Sequence, residues 1–256
     1  MINSLKLALT IVLRHWTIYK KDLIANISPS VADPGLILLS LGVGLGSMVA
    51  QVEGKTYLQF LAPGLVASTA LFTSFFESSY GFYIRMKMES VYKAMLTTPI
   101  GPKEIIMGEF IWNFFKGVIM ASGVSLFLMC FGLVNDWFTV LGSAFVGGFM
   151  AIPCAAIGLL ASSYVNNINQ FQTVYSFGIA PMFYLSGIFF PLTSLPQYIQ
   201  YALQLSPVFH GVRLMQILFW KEFDANIIVW HSGFLIAFSV LLSWWGTKRI
   251  HKMLVT

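Results

Sequence analysis

The sequence predicts an all-α membrane protein with six transmembrane helices, and two observations carry that reading. Asp, Glu, Lys and Arg make up only 10% of the 256 residues while 57% are apolar, against roughly 25% charged in a soluble domain. The charges are also unevenly spread, since Trp137 to Val212 contains none. A helix needs about 20 apolar residues to cross a bilayer, so that run holds at least two crossings.

The elements follow in chain order. Over residues 1–22, Asn3, Lys6, Thr10, Arg14, Thr17 and Lys21 recur at spacings of three and four, which places them on one helix face. Leu5, Leu9, Ile11, Val12, Trp16 and Ile18 fill the rest, the pattern of an amphipathic helix at the membrane interface. A polar approach from Asn26 to Asp33 precedes the first span, 34–50, with Pro34 in its first turn. The second span is expected over 57–80. A polar connection, 85–104, leads to the third span, 108–133, whose early part carries Glu109 and Lys116, the latter with a stem long enough to snorkel. Spans four, five and six are expected over 138–164, 171–190 and 226–245. Between the last two, residues 191–225 are apolar but interrupted by Pro191, Pro196 and Pro207. Proline at this density does not suit a straight crossing, and short re-entrant helices shielded by protein are expected instead.

Lys and Arg concentrate in three places: Lys6, Arg14, Lys20 and Lys21; Arg85, Lys87, Lys93 and Lys103; and Lys248, Arg249 and Lys252. The alternate loops hold only Lys55, Arg213 and Lys221. By the positive-inside rule both termini are cytoplasmic, in agreement with an even number of crossings. The net charge of +5 is thus explained by membrane flanks, not by a nucleic-acid footprint. The chain shows no internal repeat, low-complexity tract or linker, and its start lacks a cleavable leader pattern.

Catalytic motifs fail on inspection. Gly54-Lys55-Thr56 ends like a phosphate-binding loop, but Val49 stands where that motif needs glycine. Ser186 lacks the flanking glycines of a nucleophile elbow. The four histidines are scattered, Cys130 and Cys154 lie in apolar spans, and neither set has metal-ligand spacing.

The polar connection is more informative. Glu89 to Leu96 favours a short helix, ended before Pro99, with Val91, Met95 and Leu96 as an apolar ridge. Such a ridge either rests on the membrane or docks a partner protein. Met95-Leu96-Thr97-Thr98-Pro99-Ile100, followed by Glu104-Ile105 and Gly108-Glu109, resembles the signature loop of ABC-2 type transporter permeases. Ser186-Gly187-Ile188-Phe189-Phe190-Pro191-Leu192, then Leu195-Pro196, Ser206-Pro207 and Arg213, resembles the family's fifth-span end and outer region. Phe60-Leu61-Ala62-Pro63-Gly64-Leu65 is similar to the nodulation-factor and daunorubicin exporter branch.

That resemblance implies an ATP-driven exporter subunit of a bacterial inner membrane, acting as a homodimer with two copies of an ABC ATPase. The chain itself would need no cofactor, ATP and Mg being bound by the partner. On this reading residues 89–98 form a coupling helix, with Glu89, Tyr92, Met95, Leu96, Thr97 and Pro99 in the coupling segment. Phe189, Phe190 and Glu77 are candidates for the path of an amphipathic, glycan or lipid-linked cargo. An ionisable group at membrane depth is costly unless paired or hydrated, so Glu77 either lines a path or is neutralised by Arg85 or Lys116. Used as a proton or ion site, Glu77 would instead make the chain a secondary transporter. A membrane-embedded enzyme would require a nucleophile and base that the sequence does not offer.

Overall fold

The computed structural model describes residues 2–44, 46, 48–49 and 51–255, and the described residues are helical with no strand. Eleven helices follow in order: α1 Ile2–Tyr19, α2 Leu23–Ile37, α3 Tyr57–Phe76, α4 Val91–Met95, α5 Pro102–Cys130, α6 Trp137–Ser162, α7 Gln170–Val174, α8 Ala180–Tyr184, α9 Gln197–Leu203, α10 Pro207–Trp220 and α11 Ala225–Val255. Among the described residues, five helical segments are long and apolar enough to cross a membrane: Ser4–Gly44, Tyr57–Met88, Pro102–Cys130, Trp137–Ser162 and Ala225–Met253.

Several boundaries differ from the expected ones, each for a local reason. The polar approach Asn26 to Asp33 is not a loop but lies inside α2. A 3₁₀ turn over Lys20–Asp22 joins α1 to α2, and the Asn26 side-chain amide donates to the Tyr19 carbonyl at 3.0 Å, satisfying a group the tighter turn releases. Pro34 therefore sits within α2 rather than at its start. The helix widens into a π-helical stretch at Leu38–Gly44 one turn later. The expected end of this span, Ala50, lies outside the described residues.

The second span does not stop at Tyr80. It continues through π-helical turns at Glu77–Gly81 and Ile84–Met88, because the charge of Arg85 is neutralised inside the protein. The third span starts at Pro102, six residues earlier than expected. Proline occupies the first helical turn, and the Gly101 N–H donates to the Glu104 carboxylate at 3.1 Å. The fifth expected span, 171–190, is helical only from Gln170 to Tyr184, through α7, a π-helical turn at Tyr175–Ile179 and α8. Fifteen residues rise about 22 Å, short of the roughly 30 Å hydrocarbon core, and irregular backbone completes the segment to Phe190. The last helix runs beyond Trp245 to Val255.

The core is built around α3, buried on nearly every side from Phe60 to Leu71 between α5, α6 and α10. Small residues let α5 and α6 meet backbone to backbone. A Cβ on Gly117 would lie 2.7 Å from that of Ala151 and 2.8 Å from the Gly147 carbonyl oxygen. Lipid offers no hydrophobic drive between helices, so this closeness, with the buried Ser125–Ser143 hydrogen bond at 2.6 Å, supplies the association. One end of the bundle brings Ile11, Tyr92, Ile105, Leu159 and Ile250 into a single cluster, so the N-terminal helix, the polar connection and the C-terminal tail share that end. The other end carries the ion pairs Lys55–Glu222 and Lys221–Asp136.

Gly117→Leu should lower the thermal midpoint of the protein in nanodiscs by an amount equivalent to about 1–3 kcal/mol. Gly233→Ala, in α11 with nothing within 4 Å of the added methyl, should leave it unchanged. Differential scanning fluorimetry of the two variants checks this.

Candidate functional site: a buried ion network beneath a short surface helix

The connection after α3 reverses at Ser90, whose backbone takes the left-handed conformation (φ 54°), and α4 begins at the next residue. Its end is set by threonines, since the Thr97 and Thr98 hydroxyls donate to the Ala94 and Met95 carbonyls at 2.8 and 2.6 Å. These bonds take the acceptors a further turn would use. The helix is therefore five residues, not the expected stretch from Glu89 to Thr98. Its apolar side is occupied from within: Met95 and Leu96 pack against the cluster of Ile11, Phe82, Tyr92 and Ile105. The expected ridge of Val91, Met95 and Leu96 is half-buried, with Met95 and Leu96 turned partly to the core. Met88, Glu89, Ser90, Lys93, Ala94, Thr97, Thr98 and Pro99 make the exposed surface.

Tyr92 is fully buried, its ring against Phe82 at 4.9 Å. Its hydroxyl donates to Glu109 Oε1 at 2.5 Å and accepts from Arg85 Nε at 2.8 Å. Glu109, itself fully buried in α5, also receives His15 Nε2 on Oε1 at 2.8 Å and Arg85 Nη2 on Oε2 at 2.9 Å. Arg85 Nη1 reaches Glu77 Oε1 at 2.6 Å, and Lys116 Nζ holds Glu77 Oε2 at 2.5 Å. One connected set of hydrogen bonds thus runs from α4 to Glu77 and joins α1, the end of the second span, α4 and α5.

Local structure explains the alignment. Glu109 and Lys116 are seven apart on α5, two turns on one face. Glu77 and Arg85 are eight apart, and a regular helix at 3.6 residues per turn would overshoot two turns by almost one residue. The two π-helical turns take up that excess and stack both side chains toward α5. On α1 the inward face is Ala8, Ile11, Val12, His15 and Tyr19. Gly108 lets this face approach, since a Cβ there would meet Ile11 at 2.9 Å and the Ala8 carbonyl at 3.0 Å. His15 stacks on Trp112 at 5.5 Å, which fixes the ring that faces Glu109. Burial and the Glu109 carboxylate together hold the Tyr92 phenol well above its usual range, so it stays a donor at neutral pH.

Beside the network lies a cavity of about 680 Å³ lined by residues of α2, α3 and its π-helical extension, α5, α8 and the preceding turn, including Asp33, Ser68, Phe72, Glu77, Lys116 and Phe183. Of the sequence candidates, Glu77 lines this cavity and Tyr92 joins Glu77's network. Met95 and Leu96 lie half-buried beside Tyr92, while Glu89, Thr97 and Pro99 are exposed. Phe189 is half-buried against Phe183 and Tyr184, its carbonyl accepting from the Tyr57 hydroxyl at 3.2 Å, and Phe190 is half-buried beside it. The structure does not bring these two phenylalanines to Glu77, because Tyr57 and Glu77 stand at opposite ends of a helix run about 30 Å long. Glu109, Arg85 and His15 were not singled out from the sequence as site residues. The available signals were a carboxylate inside an apolar span and a histidine on the apolar side of an amphipathic helix.

Residues 6–220 match the family model described as ABC-2 type transporter. The chain belongs to the ABC-2 type transporter family. Among curated ABC-2 relatives, it is 27% identical to nodulation protein J of Rhizobium meliloti (strain 1021) over 94% of this chain and 92% of that protein. It is 30% identical to nodulation protein J of Rhizobium leguminosarum bv. trifolii over the same shares. The inner membrane transport permease YadH of Escherichia coli (strain K12) is 25% identical, with 86% of each chain covered. The chain is therefore an ABC-2 membrane transport permease, a multi-pass membrane protein. The matched region contains α4, the ion network and the cavity.

Glu109→Ala should strand Arg85, Tyr92 and His15 at once. Removing one partner of a buried ion pair costs about 3–5 kcal/mol. The expected result is a loss of folded protein in detergent extracts or a strongly lowered unfolding midpoint, whereas Pro99→Ala on the exposed turn leaves both near the parent value.

Proposed function

We propose that this permease is the membrane half of an ATP-driven exporter, in which two copies of the chain form the translocation unit and two copies of a separate ABC ATPase bind beneath it. The chain itself holds no cofactor; ATP and Mg belong to the partner. It resides in a bacterial inner membrane with six crossings, the broken α7–α8 segment being the fifth, and both termini in the cytoplasm. The clustering of α1, the α4 connection and the α11 tail at one end, with most of the cations, supports that orientation.

The observation that carries the reading is the link from α4 to the cavity. A force on the exposed surface around Glu89, Lys93 and Thr97 moves α4, and Tyr92 is rigidly attached to it. Tyr92 cannot shift without disturbing Glu109 and Arg85, and Arg85 holds the Glu77 carboxylate that lines the cavity. Closure of the ATPase pair on ATP is the stroke; rearrangement of the cavity wall is the response, biased between two packings of the same helices. The surface residues supply docking, Tyr92 supplies transmission, and Met95 and Leu96 anchor α4 to the body of the permease. Cargo is an amphipathic, glycan or lipid-linked molecule large enough to use the cavity, with Phe189 and Phe190 on its outward side.

An ion-coupled transporter working through Glu77 is less well supported. Both Glu77 oxygens are held by cations, which leaves no free carboxylate to exchange a proton.

Co-expression with a candidate ABC ATPase subunit from the same genome tests the proposal. The two should co-purify, and Lys93→Glu combined with Glu89→Lys should reduce ATP-dependent cargo transport about tenfold, as expected for contacts central to an interface, without changing membrane insertion. Transport by the purified permease alone, driven by an ion gradient, would overturn it.

A further inference from the structure

The cavity has a charge imbalance that points to its cargo. Three charged side chains line it: Asp33, Glu77 and Lys116. Lys116 and Arg85 are both committed to Glu77, and Arg85 reaches across to Glu109. Among the described residues no cation pairs with Asp33. Asp33 is exposed on α2, eleven residues beyond the turn that ends at Asp22 and so about 16 Å along the helix, within a segment long and apolar enough to cross a membrane. A carboxylate at membrane depth marks a functional site by default, and its partner must be named.

Four aromatic side chains form one part of the wall. Phe72 contacts Phe76, Tyr175 and Phe183 with ring centroids 6.2, 6.3 and 4.8 Å apart, and Phe76 meets Tyr175 at 5.8 Å. All four line the cavity. Ring faces attract cations, and quaternary ammonium groups are recognised by aromatic walls of this kind. A carboxylate without a cation, beside four contiguous rings in about 680 Å³, has the volume and chemistry of a drug-sized site.

We propose that the cavity binds amphipathic organic cations, with Asp33 taking the positive group and Phe72, Phe76, Tyr175 and Phe183 taking the apolar body. An anionic cargo would meet Asp33 unpaired and find Lys116 already occupied. A neutral one would leave the Asp33 charge uncompensated in the membrane. The inference rests on the exporter reading only in treating this cavity as the cargo site.

Binding can be measured without the ATPase, so the two readings fail separately. The full chain in nanodiscs is titrated by equilibrium dialysis with radiolabelled tetraphenylphosphonium and with tetraphenylborate, an anion of nearly the same shape, each corrected for binding to protein-free nanodiscs. Tetraphenylphosphonium should bind saturably and tetraphenylborate should not. Asp33→Asn should weaken the cation about tenfold, and Phe72→Leu should weaken it with the fold intact. Equal binding of the two ions, or cation binding unchanged in Asp33→Asn, overturns the proposal. So does a change in oligomeric state of Asp33→Asn by native mass spectrometry, which would assign Asp33 to a contact between subunits. Cation binding that survives while ATP dependence fails would instead remove the exporter reading alone.

Discussion

A carboxylate with no exposure to solvent needs several donors to remain in place, and Glu109 has three. An isolated buried charge costs several kcal/mol even after relaxation, and that cost is met here by a phenol, a guanidinium and an imidazole brought from three different elements. The arrangement makes α1, the end of the second span, α4 and α5 interdependent. None can move far without uncovering an ion in a low-dielectric interior, where an unpaired group is most expensive. The short helix α4 is too small to be stable by itself. Its position is set by the ring and hydroxyl of Tyr92 and by the packing of Met95 and Leu96.

The two ends of the bundle are held by different physics. At the end carrying α4 the ion pairs are buried and shared, so they are sensitive to geometry and suited to two discrete arrangements. At the other end Lys55–Glu222 and Lys221–Asp136 are solvent-accessible, and pairs of that kind contribute little each. There the connection is stitched by neutral hydrogen bonds, such as Gln216 to the Gly187 carbonyl at 3.2 Å. The π-helical turns after Phe76 bridge these regimes. They align Glu77 with Arg85, and an i→i+5 turn can revert to the regular ladder with a one-residue change in register.

Much of the fold was legible because a bilayer imposes length and apolarity on whatever crosses it. The apolar runs in α5, α6 and α11 could be read directly. Boundaries were less legible where tertiary contacts override local polarity. Arg85 looked like the start of a loop, yet it stays helical because two carboxylates from elsewhere neutralise it. Asn26 looked like a loop residue, yet it caps the preceding helix. The broken segment between Gln170 and Tyr184 keeps the composition of a span without its length. For the site, the sequence identified Glu77 and offered Arg85 or Lys116 as partners, and the structure shows both engaged. Tyr92 was placed correctly in the polar connection, but its inward direction was not readable, because the ridge of Val91, Met95 and Leu96 gave no sign of which side the core would cover. The hub at Glu109 was hidden for the same reason: its partners come from residues 15, 85 and 92, and only the folded chain brings them together.

The central claim is that α4 and the cavity wall are energetically one unit. A double-mutant cycle on Tyr92→Phe and Lys116→Met, which touch opposite ends of the network and not each other, tests this most directly by unfolding free energy in nanodiscs. Coupling through Glu109, Arg85 and Glu77 predicts that the two effects fail to add by about 0.5 kcal/mol or more. Additivity within error would show that Tyr92 and the cavity wall are independent, and would contradict the account.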